Sequence, residues 1–129
     1  MEFTELAARA RELLFERDNL SAQCSAGVVA CGLETKDGHV YFGINIDTDC
    51  GMGFCAESSA ISAMLKAGEA EIAKIIAVTR DRILPPCGRC RELIYQVNHN
   101  NLKTAVMVDE NTILTLEELL PYLWWKADE

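Results

Sequence analysis

The stretches "GFCAESSA", residues 53–60, and "LPPCGRCRE", residues 84–92, set three cysteines beside glycines and prolines. Each stretch opens a segment with helical patterning, so Cys55, Cys87 and Cys90 are expected at the starts of two helices. A helix N-terminus carries partial positive charge, which favours a thiolate over a thiol. If the two helix starts face each other, the three sulfurs can meet at one point.

The composition of the 129-residue chain limits what it can bind. Twelve basic residues against twenty acidic ones give a formal charge of −8, and no basic stripe is present. A nucleic-acid polymer is therefore an unlikely partner, and a small neutral substrate fits better. No apolar run reaches the roughly 18 residues of a membrane span. The charged N-terminal segment lacks a signal-peptide core, so we expect a cytoplasmic protein with reduced thiols.

Hydrophobic patterning predicts an α/β fold with a single domain over residues 1–129. The predicted helices cover residues 3–16, 56–67, 88–98 and 116–120, and the predicted strands cover residues 26–34, 40–46, 74–80, 103–109 and 112–115. The order along the chain is helix, two strands, helix, strand, helix, two strands, helix. The expected architecture is a mixed five-stranded sheet with helices on both faces.

The Cys-x-x-Cys pair at Cys87 and Cys90 is by itself ambiguous between zinc binding and redox chemistry. In the first turn of a helix this spacing places both sulfurs on one side, within reach of one ion. A structural zinc site would need a fourth protein ligand. The two histidines, His39 and His99, lie away from both stretches. Three thiolates without an evident fourth ligand indicate a catalytic zinc with one position open to water.

Glu57 follows Cys55 by two residues, close enough to reach water beside the metal. A carboxylate in that place can take a proton from the water and deliver it to a substrate. Two other interpretations remain open. Glu57 could be an acid that stabilises a helix N-terminus. The three cysteines could form a non-catalytic zinc-stabilised interaction module, which would not need Glu57.

The paired motifs Cys55-Ala56-Glu57 and Pro86-Cys87-Gly88-Arg89-Cys90 resemble the cytidine deaminase superfamily. The resemblance runs from about Ser25 to the C-terminus, and the two motifs are specific only as a pair. The segments "ILPPCGRCRELI" and "LEELLPYLWW" look most like the blasticidin S deaminase branch of this family. The resemblance implies a three-layer αβα fold.

The resemblance also implies the reaction and its cofactor. Zn²⁺ would be held by Cys55, Cys87 and Cys90, and Glu57 would pass a proton from the attacking water to N3 of a cytosine ring. Attack at C4 releases ammonia and leaves the uracil form of the nucleoside. The implied setting is pyrimidine salvage by a homotetramer, and deamination of blasticidin S is the alternative.

Two positions depart from the family pattern. "GINID", residues 43–47, resembles the segment that contacts the sugar, so Asn45 and Asp47 are the expected substrate-binding residues; the usual acid there is glutamate. The alternative for this pair is a polar exit from a strand. Ser58 stands where an arginine usually offsets the charge of the thiolates. Arg89, Arg91 and the two helix ends are the candidates to replace it.

Overall fold

The computed structural model describes residues 1–15 and 17–126. Its strands are β1 (Arg17–Ser21), β2 (Cys24–Thr35), β3 (Val40–Thr48), β4 (Ile72–Val78), β5 (Ile83–Leu84), β6 (Ala105–Asp109) and β7 (Thr112–Thr115). Its helices are α1 (Phe3–Arg11), α2 (Ala56–Lys66), α3 (Gly88–Val97) and the single turn α4 (Leu116–Leu119), with a 3₁₀ helix over His99–Lys103.

The strands form one mixed sheet whose main order is β3–β2–β4–β6–β7. β4 and β6 run parallel, and the other neighbours in this order are antiparallel. β1 pairs with the start of β2, and β5 pairs with the end of β4. α2 connects β3 to β4, α3 lies between β5 and β6, and α4 follows β7.

Helices cover both faces of the sheet, which gives three layers. On one face α1 buries Leu6, Ala7 and Ala10 against the apolar side chains of β2, β4 and β5. On the other face α2, α3 and α4 pack over a larger cluster that includes Leu33 and Ile75. Within the part of the chain that the structure describes, no helix combines the length and apolarity needed to cross a bilayer.

The predicted α/β architecture is confirmed, with a correction to the number of strands. All five predicted strands are present, but β1 and β5 raise the count among the described residues to seven. β1 has the polar sequence "RDNLS" and β5 has two residues, so neither shows the alternation that identifies a strand. The first helix ends at Arg11. Of the predicted span 3–16, residue 16 lies outside the described residues.

Gly43 of β3 lets α2 lie directly on the sheet. A Cβ atom at residue 43 would lie 2.3 Å from the backbone nitrogen of Ala60 and 2.6 Å from the carbonyl oxygen of Ala56. Both contacts are with helix backbone, which cannot rotate away as a side chain can. Since the first turn of α2 carries Glu57, the absence of a side chain at Gly43 also sets the position of this carboxyl group.

We predict that Gly43→Ala lowers the free energy of unfolding by about 1–3 kcal/mol, because the added methyl group pushes α2 off the sheet. The displaced helix start should also weaken metal binding. Chemical denaturation and zinc analysis of the purified variant measure the two effects. Gly51→Ala is the control, since no atom lies within 4 Å of a Cβ built there. Equal stability of the two variants would contradict this account of the packing.

Candidate metal and catalytic site

The loop between β3 and α2 folds back on the strand and thereby places Cys55. Ile46 and Phe54 exchange two backbone hydrogen bonds, of 3.0 and 2.9 Å. A Cβ at Gly53 would lie 2.4 Å from the carbonyl oxygen of Ile46, so this close return requires glycine. Cys55 follows in extended conformation as the N-cap residue of α2. Its sulfur therefore lies at the positive end of this helix.

The second stretch repeats this arrangement at α3. Cys87 is the N-cap residue of α3, with extended backbone angles. The preceding Pro86 is buried and lacks an N–H group that would need a partner. Cys90 lies in the first turn and is fully buried. Both predicted helix starts are therefore present.

The three sulfurs form one cluster. The Sγ atom of Cys87 lies 3.7 Å from that of Cys55 and 3.6 Å from that of Cys90. All three lie within 4.8 Å of one another, and among the described residues no further histidine, cysteine or acidic side chain belongs to the cluster. Tetrahedral zinc with sulfur ligands at about 2.3 Å sets those sulfurs about 3.8 Å apart. The cluster fits zinc and provides three ligands.

The thiols differ in how readily they lose a proton. Partial burial opposes ionisation of Cys87, but hydrogen bonds with the Cys90 backbone N–H, with the side chains of Cys90 and Cys55 and with the Arg89 backbone N–H lower its pKa below the usual value. Burial raises the pKa of Cys55 and, more strongly, that of Cys90, where the charge of Glu57 adds to the effect. The helix N-terminus of α3 thus favours the thiolate at Cys87. At the two other cysteines the helix ends do not outweigh burial.

Glu57 lies in the first turn of α2 with only 5% of its surface exposed. Burial raises the pKa of its carboxyl group, while hydrogen bonds with its own backbone N–H and with the Cys90 side chain act in the opposite direction. A carboxyl group with a raised pKa is suited to exchanging protons near neutral pH. The structure thus brings Glu57 and the cysteine cluster together, as predicted.

A cavity of about 440 Å³ opens beside the cluster. This volume is in the range of small-molecule sites. Its polar lining consists of Asn45, Asp47, Cys55, Glu57, Cys87 and Arg89, and its apolar walls are Val28, Val29, Phe54, Ala77, Leu84 and Pro85. Cys90 lies beneath this surface, in the core. The cavity therefore offers two cysteines and a buried acid at one end, and an amide with a second acid elsewhere on its wall.

Residues 5–108 match the family described as the cytidine and deoxycytidylate deaminase zinc-binding region. The chain belongs to this family. The zinc cofactor predicted from the sequence is confirmed by the family's zinc-binding region together with the cysteine cluster.

Curated relatives of this deaminase-family protein carry two different names. Blasticidin-S deaminase of Bacillus cereus is 28% identical over 131 residues, covering 94% of this chain and 89% of the relative. Cytidine deaminase of Halalkalibacterium halodurans is 30% identical over 115 residues, covering 86% of this chain and 87% of the relative. Both branches that the sequence resembles are thus represented among the relatives.

Solved structures of cytidine deaminases share the fold. The enzyme of Mycobacterium leprae superposes with a TM-score of 0.75 at 28% identity, covering 95% of this chain and 99% of that chain. The enzyme of Burkholderia pseudomallei gives 0.73 at 27% identity, with 96% and 100% covered. The enzyme of Mycobacterium tuberculosis gives 0.80 at 22% identity, with 98% and 99% covered, and supports the fold alone.

Asn45 and Asp47, the predicted sugar contacts, both line the cavity of this deaminase-family protein. The Asn45 side chain is 7% exposed and already has protein partners. Its Oδ1 atom accepts hydrogen bonds from the backbone N–H groups of Val28 and Val29, and its Nδ2 atom donates to Asp47. The structure places the two residues side by side at the cavity, and Asn45 also organises the backbone around it.

Ser58 stands where the resemblance implies an arginine, so the groups that face the three sulfurs must be identified in the structure. The Ser58 hydroxyl oxygen is buried and has no hydrogen-bond partner among the described residues. The Nε atom of Arg91 donates to the carbonyl oxygen of Pro86 at 2.8 Å, so Arg91 braces the start of α3. Arg89 lines the cavity. Among the groups predicted to replace the arginine, the backbone N–H groups at the start of α3 act directly, because they help to lower the pKa of Cys87.

The apolar walls of the cavity were not predicted from the sequence. Phe54, Leu84 and Pro85 directly flank the cysteine motifs, so their place beside the site could have been inferred from proximity. Val28 and Val29 are consecutive in β2, where alternation would send one of them to the opposite face. Both line the cavity because β2 departs from regular pairing there. No sequence pattern marks this irregularity.

We predict that the purified protein contains about one zinc ion per chain and that Cys90→Ser lowers this value strongly, because one of three thiolate ligands is lost. Metal analysis by mass spectrometry, with circular dichroism to verify folding, provides the measurement. Cys50→Ser is the matched control, since Cys50 is an exposed free thiol outside the cluster. Retention of zinc by folded Cys90→Ser, or its loss from Cys50→Ser, would contradict the assignment.

Proposed function

We propose that this protein is a zinc-dependent deaminase that hydrolyses the C4–N bond of a cytosine nucleoside or analogue, yielding the uracil form and ammonia. The observation that carries the proposal is the cluster of three sulfurs with a buried carboxyl group beside a cavity of about 440 Å³, whose wall includes Cys55, Cys87 and Glu57. Family membership supports the same reaction class.

Cys55, Cys87 and Cys90 would hold the metal through their sulfur atoms. Zinc bound there supplies Lewis acidity that makes water a nucleophile near neutral pH. The N-terminus of α3 stabilises negative charge at Cys87, whose pKa is lowered by backbone hydrogen bonds there. Three protein ligands leave room for a reactant, which distinguishes a catalytic site from a closed structural one.

Glu57 would move the protons of the reaction. Its carboxylate accepts a proton from the attacking water and delivers it to N3 of the cytosine ring while the new C4–O bond forms. It then takes the remaining proton from the new C4 hydroxyl group and delivers it to the amino group, so that the C4–N bond breaks, ammonia leaves and the C4 carbonyl group forms. Because the side chain is buried in the first turn of α2, it is held at one place and shielded from bulk water.

The remaining lining residues would bind and orient the nucleoside. Val28, Val29 and Phe54 provide apolar surface for the flat pyrimidine ring, while Asp47 provides an acceptor for hydroxyl groups of the sugar. Binding of a neutral nucleoside requires no basic surface, in agreement with the net charge of −8.

Deamination of blasticidin S is the second candidate. The relative of that name in Bacillus cereus aligns over 94% of this chain. Two departures, Asp47 in place of glutamate and Ser58 in place of arginine, separate the chain from the usual cytidine deaminase pattern. Both candidate reactions would use the same zinc ligands and Glu57. They differ in the substrate, and so in the groups that the protein must contact around the sugar.

The proposal includes assembly into a homotetramer in the cytoplasm, with residues 1–129 forming one deaminase domain. Three large aromatic side chains near the C-terminus are exposed, Tyr122 at 93%, Trp124 at 78% and Trp125 at 58%. Exposed apolar groups of this size are typical of interaction surfaces, and we assign them to contacts between copies of the chain. All six cysteines are free thiols, which suits a reducing compartment.

The test compares wild-type protein and Glu57→Gln with cytidine, deoxycytidine and blasticidin S, using the loss of ultraviolet absorbance on deamination. We expect wild-type turnover of at least one substrate and a decrease of about 10²–10⁴-fold in Glu57→Gln, because the glutamine cannot carry a proton. Zinc content should stay unchanged in the variant.

Glu118→Gln is the control, because Glu118 is an exposed acid that caps α4 away from the cavity. Its turnover should match that of the wild-type protein. A non-catalytic zinc module predicts no turnover in any sample, and a thiol redox protein predicts activity of Cys87 and Cys90 without zinc. Turnover that persists in Glu57→Gln would overturn the assigned proton transfer.

A further inference from the structure

Ser58 carries a buried hydroxyl group that donates to no other group of the described chain. Among the residues that the structure describes, its Oγ atom is the one buried side-chain oxygen or nitrogen without a hydrogen-bond partner. A buried hydroxyl group without a partner destabilises a fold, and native proteins contain few of them. Such a group therefore needs an explanation in terms of what the protein binds or does.

The acceptors that a helical serine normally uses have other donors here. A serine within a helix commonly donates to the carbonyl oxygen three or four residues earlier. The carbonyl oxygen of Phe54, which precedes α2, accepts from the backbone N–H of Ile46 at 3.0 Å. That of Cys55 accepts from the N–H of Ser59 at 3.4 Å. Ser58 donates to neither, because the loop before α2 turns back to β3.

An acceptor of a different kind lies on the same side of the helix, namely the sulfur of Cys55. Cys55 is the N-cap residue of α2, and Ser58 follows it by three residues in the first turn. Residues three apart lie on one side of a helix, and the side chain at this position can reach back to the N-cap residue. The Cys55 side chain accepts no hydrogen bond from its own helix. Its sulfur lies 3.7 Å from that of Cys87.

Metal binding turns this sulfur from a weak acceptor into a strong one. A neutral thiol sulfur accepts hydrogen bonds only weakly. A zinc-bound cysteine has lost its proton and carries negative charge, and a hydrogen bond to a charged acceptor is about twice as strong as one between neutral groups. Zinc with three thiolates has a net charge of −1. Donors to the sulfurs offset this charge and so preserve the Lewis acidity of the metal.

We propose that Ser58 is a positioning residue of the metal site, whose hydroxyl group donates to the thiolate of Cys55 when zinc is bound. This proposal rests on the proposed function, because it takes Cys55 as a zinc ligand. Ser58 then supplies part of the charge compensation that an arginine would give at the same position. It acts at the start of α2, whereas the backbone N–H groups at the start of α3 act on Cys87.

The stability of Ser58→Ala, measured with and without zinc, tests this role without any need for activity. In the metal-free protein the substitution removes a buried hydroxyl group that has no partner, so Tm should stay the same or rise. In the zinc-loaded protein it removes a hydrogen bond to a charged sulfur, so Tm should fall. The Kd for zinc, measured by competition with a chelator, should rise about tenfold.

Cobalt(II) in place of zinc provides a spectroscopic measurement of the same contact. A hydrogen bond withdraws charge from the ligand sulfur. Its loss in Ser58→Ala should therefore move the sulfur-to-cobalt charge-transfer band to longer wavelength. Ser62→Ala is the matched control, because Ser62 is an exposed serine of the same helix. This control should keep the wild-type Kd for zinc and the wild-type band position.

The outcomes separate this proposal from the proposed function. An unchanged Kd for zinc in folded Ser58→Ala would overturn the role of Ser58 and leave the three cysteines as ligands. A fall in Tm that is equal with and without zinc would also overturn it, because the hydroxyl group would then serve the packing of α2 alone. Wild-type protein that binds no zinc would overturn the ligand assignment within the proposed function and, with it, this proposal.

Discussion

The approach of two helix N-termini to one point is the constraint on which the rest of the site depends. Cys55 caps α2 and Cys87 caps α3, and their sulfurs lie 3.7 Å apart. Three thiols this close to one another are unfavourable as free thiolates, because their charges repel. A divalent cation and two helix dipoles offset this repulsion. Zinc binding and the packing of α2 beside α3 therefore depend on each other.

β3 organises the other half of the site. Gly43 allows α2 to approach, Ile46 anchors the returning loop before Cys55, and Asn45 and Asp47 line the cavity. Because side chains alternate along a strand, residues 43, 45 and 47 lie on one face, toward α2 and the cavity. A single strand thus positions Asn45 and Asp47 and, through Gly43 and Ile46, the start of the helix that carries Glu57.

Much of this arrangement could be predicted from the sequence. The helix starts at Cys55 and Cys87 carry local signals, namely glycine or proline before a helical pattern, and the helices and five main strands follow from periodicity. The residues that shape the cavity were harder to predict. The irregular pairing of β2 beside the cavity depends on which of its residues meet β3 across the sheet. The close approach of α2 to Gly43 depends on the backbone atoms of Ala56 and Ala60. Such long-range contacts produce no periodic pattern in the sequence.

X-ray absorption at the zinc K-edge of the purified protein tests the central claim most directly, because it counts the ligands of the bound metal. We predict three sulfur ligands at about 2.3 Å and one oxygen or nitrogen ligand at about 2.0 Å, as expected for three cysteines and an open position. A shell of four sulfurs would mean that another cysteine closes the site, and zinc would then be structural. That result would contradict a catalytic centre built on the two helix N-termini.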